Sequence, residues 1–277
     1  MQIDAHQHFW RLSRGDYAWL TPELGPIYRD FAPDDLRPLL ASAGIGRTVL
    51  VQAAPTAAET DFLLDLAADE PLVAGVVGWV DFEAADAAHR IAALAARPKL
   101  VGLRPMIQDL ADDRWMLGDA IAPALLAMAD EGLTFDALVF PRHLPVLRTF
   151  ARRYPGLDIV IDHAAKPDIA GGATRDWARD IRAIAVETRL VCKLSGLVTE
   201  AGPDWSPEVL KPYVEVLVES FGADRLMWGS DWPVVTLAGS YAAWRGASES
   251  LLAELSDAER DAIFGLTASV FYGLDRT

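Results

Sequence analysis

Eight short runs of β-branched and other apolar residues recur along the chain, at 2–8, 47–54, 73–80, 100–107, 133–140, 157–163, 189–196 and 225–231. The stretches between them carry a helical repeat instead: Leu36, Leu39, Leu40 and Ala43 share a face, as do Ile121, Leu125, Leu126 and Met128. Start and stop signals agree, since Pro33-Asp34-Asp35 opens a helix that Gly44 closes, and Ser256-Asp257-Ala258-Glu259 forms a capping box before the last one. Eight strand–helix units in roughly 250 residues predict an α/β fold, a single (β/α)8 TIM barrel over residues 1–277. A doubly wound open sheet is the competing architecture. No Ser-, Gly- or Pro-rich linker interrupts the alternation, so one domain is expected.

Barrel enzymes build their sites from the C-terminal ends of the strands, so the polar residues there are the ones to collect. The first run, Ile3-Asp4-Ala5-His6-Gln7-His8, places two imidazoles two residues apart, on one face of a strand. The other ends supply Gln52, Arg104, Asp136, His163, Lys193 and Asp231. Each has a plainer alternative. Asp231, in Gly229-Ser230-Asp231-Trp232-Pro233, suits a turn or a helix cap, and His163 suits a core position bonded to a carbonyl. Arg104 and Lys193 lie in apolar strands, where a charge is costly unless paired, and Asp136 is a natural partner. Gln52 and Trp79 read as pocket walls. His143 falls on a loop or at a helix start, and His89 on the solvent face of a helix over 84–96. Residues 9–33 form a long connection carrying Trp10, Tyr17, Trp19 and Tyr28, placed to cover a site at the first strand's exit. Trp10 and Trp232 adjoin the candidate residues and could support an apolar face of a substrate.

With 25 Lys and Arg against 40 Asp and Glu, the net charge of -15 argues against nucleic acid and acidic membrane surfaces and for a small-molecule substrate. The lone Cys192 cannot form an internal disulfide and sits in an apolar run, so a reducing, cytoplasmic setting is expected. Neither an export signal nor a membrane-length apolar run is present. Nothing in the chain fixes an oligomeric state.

The segments Asp4-Ala5-His6-Gln7-His8-Phe9-Trp10, Val101-Gly102-Leu103-Arg104, Ile161-Asp162-His163-Ala164-Ala165-Lys166-Pro167, Cys192-Lys193-Leu194-Ser195-Gly196-Leu197 and Met227-Trp228-Gly229-Ser230-Asp231-Trp232-Pro233 together resemble the amidohydrolase superfamily. More narrowly, they resemble its sugar-lactonase branch, which includes L-fuconolactonase and L-rhamnonolactonase and is related to 2-pyrone-4,6-dicarboxylate lactonase. Two departures bear on metal. Two-metal members bridge their ions with a fourth-strand lysine or a carboxylate, where this chain has Arg104. Members that use a fifth-strand histidine would meet Asp136, with His143 seven residues beyond. The resemblance therefore implies at most one ion, most simply Zn²⁺ on His6, His8 and Asp231, with His163 as a further ligand. Members of the branch differ in whether they need it.

Opening a lactone needs an activated water, a polarised carbonyl and a proton for the departing alkoxide. The resemblance implies Asp231 as the general base that later returns its proton to the ring oxygen, with the histidines, His163 among them, holding water and oxyanion. Arg104 and Lys193 would supply positive charge, and Gln52, Asp136, Trp10 and Trp232 would line the substrate. A metal-dependent decarboxylase of unsaturated or aromatic acids is the alternative activity, and a barrel that binds without turnover is a third.

Overall fold

A computed structural model describes residues 1–274. Its eight strands form one parallel sheet in chain order: β1 (Gln2–Gln7), β2 (Ile45–Val51), β3 (Val73–Gly78), β4 (Leu100–Leu103), β5 (Thr134–Ala137), β6 (Ile159–Ile161), β7 (Val191–Leu194) and β8 (Leu226–Trp228). Each lies within one of the predicted apolar runs or overlaps it. Closure is completed by the residues after β8: Gln7 and Trp232 form a parallel bridge, His8 N donates to Trp232 O at 2.8 Å and Asp231 N to His6 O at 2.8 Å. The architecture is a (β/α)8 barrel, and its closing seam runs through the candidate site.

The helices are α1 (Pro33–Ala43), α2 (Ala57–Ala68), α3 (Ala87–Ala95), α4 (Ala122–Asp130), α5 (Leu144–Arg153), α6 (Arg175–Glu187), α7 (Leu197–Ala201), α8 (Pro207–Phe221), α9 (Tyr241–Leu251), α10 (Asp257–Asp261) and α11 (Thr267–Tyr272), with a π-helical turn at Ala262–Leu266 joining the last two. The predicted signals operate: Pro33 sits at the start of α1, Asp35 accepts from Ala32 N, and Gly44 takes φ 68° at its end. Ser256 and Glu259 form the expected reciprocal cap of α10. On α4, Leu125 and Met128 turn inward but Leu126 is exposed, so its inclusion in the buried stripe is corrected. Among the described residues, no helix is long and apolar enough to cross a membrane.

Strand alternation sorts two apolar clusters. Leu50 joins the layer between sheet and helices, whereas Ile3, Ala5, Val49, Val51, Val77, Val101, Val160, Val191 and Met227 fill the barrel. Tyr272 and Leu274 pack onto this inner cluster; a Cβ on Gly75 would meet Val101 at 2.9 Å and Leu274 at 3.0 Å. The C-terminal segment thus stoppers the end of the barrel opposite the site.

Candidate active site

Above the apolar floor the barrel turns polar. A register shift between Asp4 and Gln7, a β-bulge against β2, lets Ala5 and His6 both face inward. His6 and His8 follow on the same side, their ring centroids 4.9 Å apart. Glycine makes room for this, because a Cβ on Gly229 would lie 2.7 Å from His6 Cβ.

Lys193 and Asp136 lie inside their strands rather than at the ends, and so sit one layer below the mouth. The Lys193 ammonium donates to Asp136 Oδ2 at 2.6 Å and to His6 Nδ1 at 3.1 Å, and pairs with Asp162 Oδ1 at 3.0 Å. Tyr272 Oη donates to the same Asp136 oxygen at 2.7 Å. Burial raises both acids. For Asp162, Lys193, His6 and Arg104 outweigh burial and hold it well below the usual carboxylate range, whereas Asp136 stays raised despite Lys193. Burial and the adjacent Lys193 push His6 well below its ordinary value, so its ring is neutral.

At the mouth, three imidazoles converge on one carboxylate oxygen. His8 Nε2, His6 Nε2 and His163 Nε2 lie 3.3, 3.8 and 3.8 Å from Asp231 Oδ1. His8 Nδ1 donates to Val51 O at 2.8 Å, and His163 Nδ1 is held by Ser195 Oγ at 2.8 Å. Burial opposes ionisation of Asp231, but the three histidines prevail and keep it well below the carboxylate range. Burial pushes His163 down to about 4. At neutral pH the site therefore presents an ionised Asp231 beside neutral His6 and His163 rings.

His163 stands on a left-handed turn: His163, Ala164, Ala165 and Lys166 have φ of 51°, 52°, 60° and 50°. Four consecutive non-glycine residues in this region cost roughly 1–2 kcal/mol each, a strain that elsewhere gathers at functional sites. Gly196 permits the arrangement, since a Cβ there would lie 2.7 Å from His163 Nδ1.

The site opens into a cavity of about 490 Å³ lined by His8, Ala18, Trp19, Ala53, Pro55, Arg104, Met106, Gln108, Asp109, Leu138, His163, Lys166, Asp231 and Val234. His8, Arg104, His163 and Asp231 are brought together there as expected. Five residues expected to touch substrate do not line it. Lys193 and Asp136 are committed to each other below. Gln52 is wholly buried, donating to Arg104 O at 3.0 Å while its own carbonyl and side-chain oxygens receive Arg104 Nη2. Trp10 is sealed beneath the 9–33 connection, donating to Arg29 O, and Trp232 packs on Phe9 and Phe31. Trp79 likewise lies off the cavity, its backbone bonded to Thr60. His143 is buried ahead of α5, bonded to Phe140 N and Asp113, and His89 is exposed on α3.

A family model described as amidohydrolase matches residues 3–274. The chain belongs to the amidohydrolase family. It is 51% identical to an L-fucono-1,5-lactonase of Burkholderia ambifaria over 99% of this chain and 96% of that one. An L-fucono-1,5-lactonase of Burkholderia multivorans is 40% identical over the same shares. A crystal structure of a Burkholderia multivorans amidohydrolase with bound zinc superposes with a TM-score of 0.94 at 39% identity, covering 99% of both chains.

The donor set of this amidohydrolase fits one divalent cation. His6, His163 and Asp231 offer ligand atoms all within 4.8 Å of one another, and tetrahedral zinc with bonds of about 2.0–2.1 Å needs ligand separations of roughly 3.3 Å. His8 adds a separate indication. With its proton on Nδ1 for the Val51 carbonyl, its Nε2 lone pair faces Asp231 Oδ1, two acceptors at 3.3 Å that call for a cation or a proton between them. In the expected set of His6, His8 and Asp231, with His163 as a further ligand, the His163 ring stands closer to His6 than the His8 ring does, at 4.3 against 4.9 Å between centroids, while His8 is the nearer to Asp231, at 3.3 against 3.8 Å. Arg104, in place of a bridging lysine, donates to Asp162 at 3.2 Å and to Gln52 and stands with Nη1 3.3 Å from His6 Nε2, so a guanidinium and not a bridging ligand lies beside the site.

Sequence reasoning missed Asp162, the central anion of the lower layer, Ser195 behind His163, and Tyr272 beneath Asp136. Asp162 precedes a collected residue, but strand parity gave no reason to choose it, and Tyr272 reaches the site only through the tertiary fold.

Proposed function

We propose that this amidohydrolase opens sugar lactones to hydroxy acids, with L-fucono-1,5-lactone its foremost substrate, by general-base activation of water. The observation that carries the reading is the Asp231 carboxylate at the cavity floor, with Nε2 of His8, His6 and His163 all within 3.8 Å of its Oδ1. The two L-fucono-1,5-lactonases that match nearly end to end support the substrate class.

Asp231 takes a proton from water as its oxygen attacks the acyl carbon, then returns it to the ring oxygen as the C–O bond breaks; the product ionises and releases a proton to solution. His163, anchored by Ser195, holds the water and the oxyanion in register. Arg104 is fixed by Gln52 and Asp162, and its charge acts without reorganising. Lys193 contributes from below, setting the charge around His6 and Asp162. His6, His8, His163 and Asp231 are the residues that would hold Zn²⁺, which when bound lowers the pKa of water and polarises an acyl oxygen. Apolar Ala18, Trp19, Ala53, Pro55, Met106, Leu138 and Val234 exclude water from the other walls.

The test is a pH-indicator screen of aldonolactones, 2-pyrone-4,6-dicarboxylate and hydroxylated benzoates, with carbon dioxide followed in parallel. Proton release from L-fucono-1,5-lactone is expected. Gas evolved from a benzoate with every lactone inert would transfer the site to the decarboxylase alternative.

A further inference from the structure

The cavity contains one cation with no task so far. Arg104 commits both of its Nη groups to Gln52, Asp162 and His6, and Lys193 spends its own donors below the floor. Lys166 lines the same cavity half-buried, and among the described residues no hydrogen bond or ion pair engages its ammonium. Its Nζ lies 5.6 Å from the Phe140 ring centroid, and its charge is also felt by the half-buried Glu200 carboxylate and by His163, neither of which it bonds.

The backbone that presents Lys166 is the strained turn that presents His163. In a turn of three residues, side chains at i and i+3 return to one side, and Lys166 N closes the turn by donating to His163 O at 2.8 Å. Trp177 Nε1 donates to Ala164 O at 2.7 Å, and Ala164 and Ala165 are fully buried. The packing therefore fixes the backbone that bears Lys166 relative to the one that bears His163. Lys166 is also more exposed than Arg104 or Asp231, which places it toward the mouth, where the part of a substrate remote from the acyl carbon would lie. Apolar Met106 and Leu138 line the same cavity and cannot receive hydroxyls.

We propose that Lys166 is a substrate-recognition residue that donates hydrogen bonds to hydroxyl oxygens of the lactone ring, a role that rests on the lactonase reading above. Such a contact is made equally in the ground and transition states, so its loss weakens binding and spares turnover.

The experiment compares wild type, Lys166→Met and Lys166→Arg. It measures kcat and KM on L-fucono-1,5-lactone, and by calorimetry the Kd of the corresponding 1,5-lactam, an unreactive ring with the same hydroxyls. The expected result for Lys166→Met is a tenfold or greater rise in KM and Kd with kcat within threefold, and Lys166→Arg recovers most of the binding. A kcat loss as large as the Kd change would put Lys166 at the reacting atoms or in support of His163, and overturn the proposal. Unchanged KM and Kd would also overturn it. If wild type binds the lactam but hydrolyses no lactone, the lactonase reading fails while the Kd comparison still decides the role of Lys166; no lactam binding to wild type defeats both.

Discussion

Lys193 Nζ lies 2.6 Å from Asp136 Oδ2 with both side chains fully buried, and this pair, not a substrate, accounts for a charge in the middle of each strand. Removing one member of a buried pair leaves the other uncompensated. Lys193→Met is expected to destabilise the fold by about 3–5 kcal/mol in denaturant unfolding, with the double variant Lys193→Met/Asp136→Leu less destabilised than the single one. If the double variant is the weaker of the two, packing rather than charge governs the layer.

Replacing Asp231 with Asn keeps the shape of the side chain and removes its basicity. Turnover of the best lactone should fall on the order of 10²–10⁴-fold while the circular dichroism spectrum stays native. Near-native turnover would dismiss Asp231 as the base.

Glu59 on α2 accepts from the amides of Ala53 and Ala54, fixing the loop that carries the cavity residue Ala53. Burial pushes its carboxyl from 4.5 up to about 7 in spite of those donors. The folded state then holds a proton that the unfolded chain has lost. Its stabilising contribution is complete below pH 4.5 and is lost as pH rises to 7, by about 3 kcal/mol in total. Unfolding free energies from pH 4.5 to 7.5 should show wild type losing stability relative to Glu59→Gln. A constant difference between the two would mean Glu59 is ionised in the fold.

Chelation should lower lactonase activity and melting temperature together, with stoichiometric zinc restoring both. A chelated, metal-free protein with full activity would leave the histidines acting directly on water.

Much of this architecture was legible because periodicity and polarity agree wherever a strand is buried on both faces. The exits of the strands could be read as site positions for His8, Arg104, His163 and Asp231. Reading failed one layer down, where Asp136 and Lys193 also look like charges in apolar runs but lie one residue short of the strand end. Depth along the barrel axis depends on strand register and stagger, which no linear pattern specifies. Lys166 was hidden differently: nothing in Ala164-Ala165-Lys166 signals a left-handed turn, since the usual glycine is absent and Trp177 and the surrounding packing impose it. Trp10 misled because its neighbour Trp19, bonded to Ala53 O, is the one that reaches the cavity.

Because His163 and Lys166 ride on one rigid rung, a change in that backbone displaces both side chains together, and with them the proposed hydrolytic and recognition contacts. Divergence toward other sugars is then channelled to side chains borne on separate loops, such as Trp19, Met106 and Gln108. Preference can drift along those loops while the hydrolytic machinery is inherited intact.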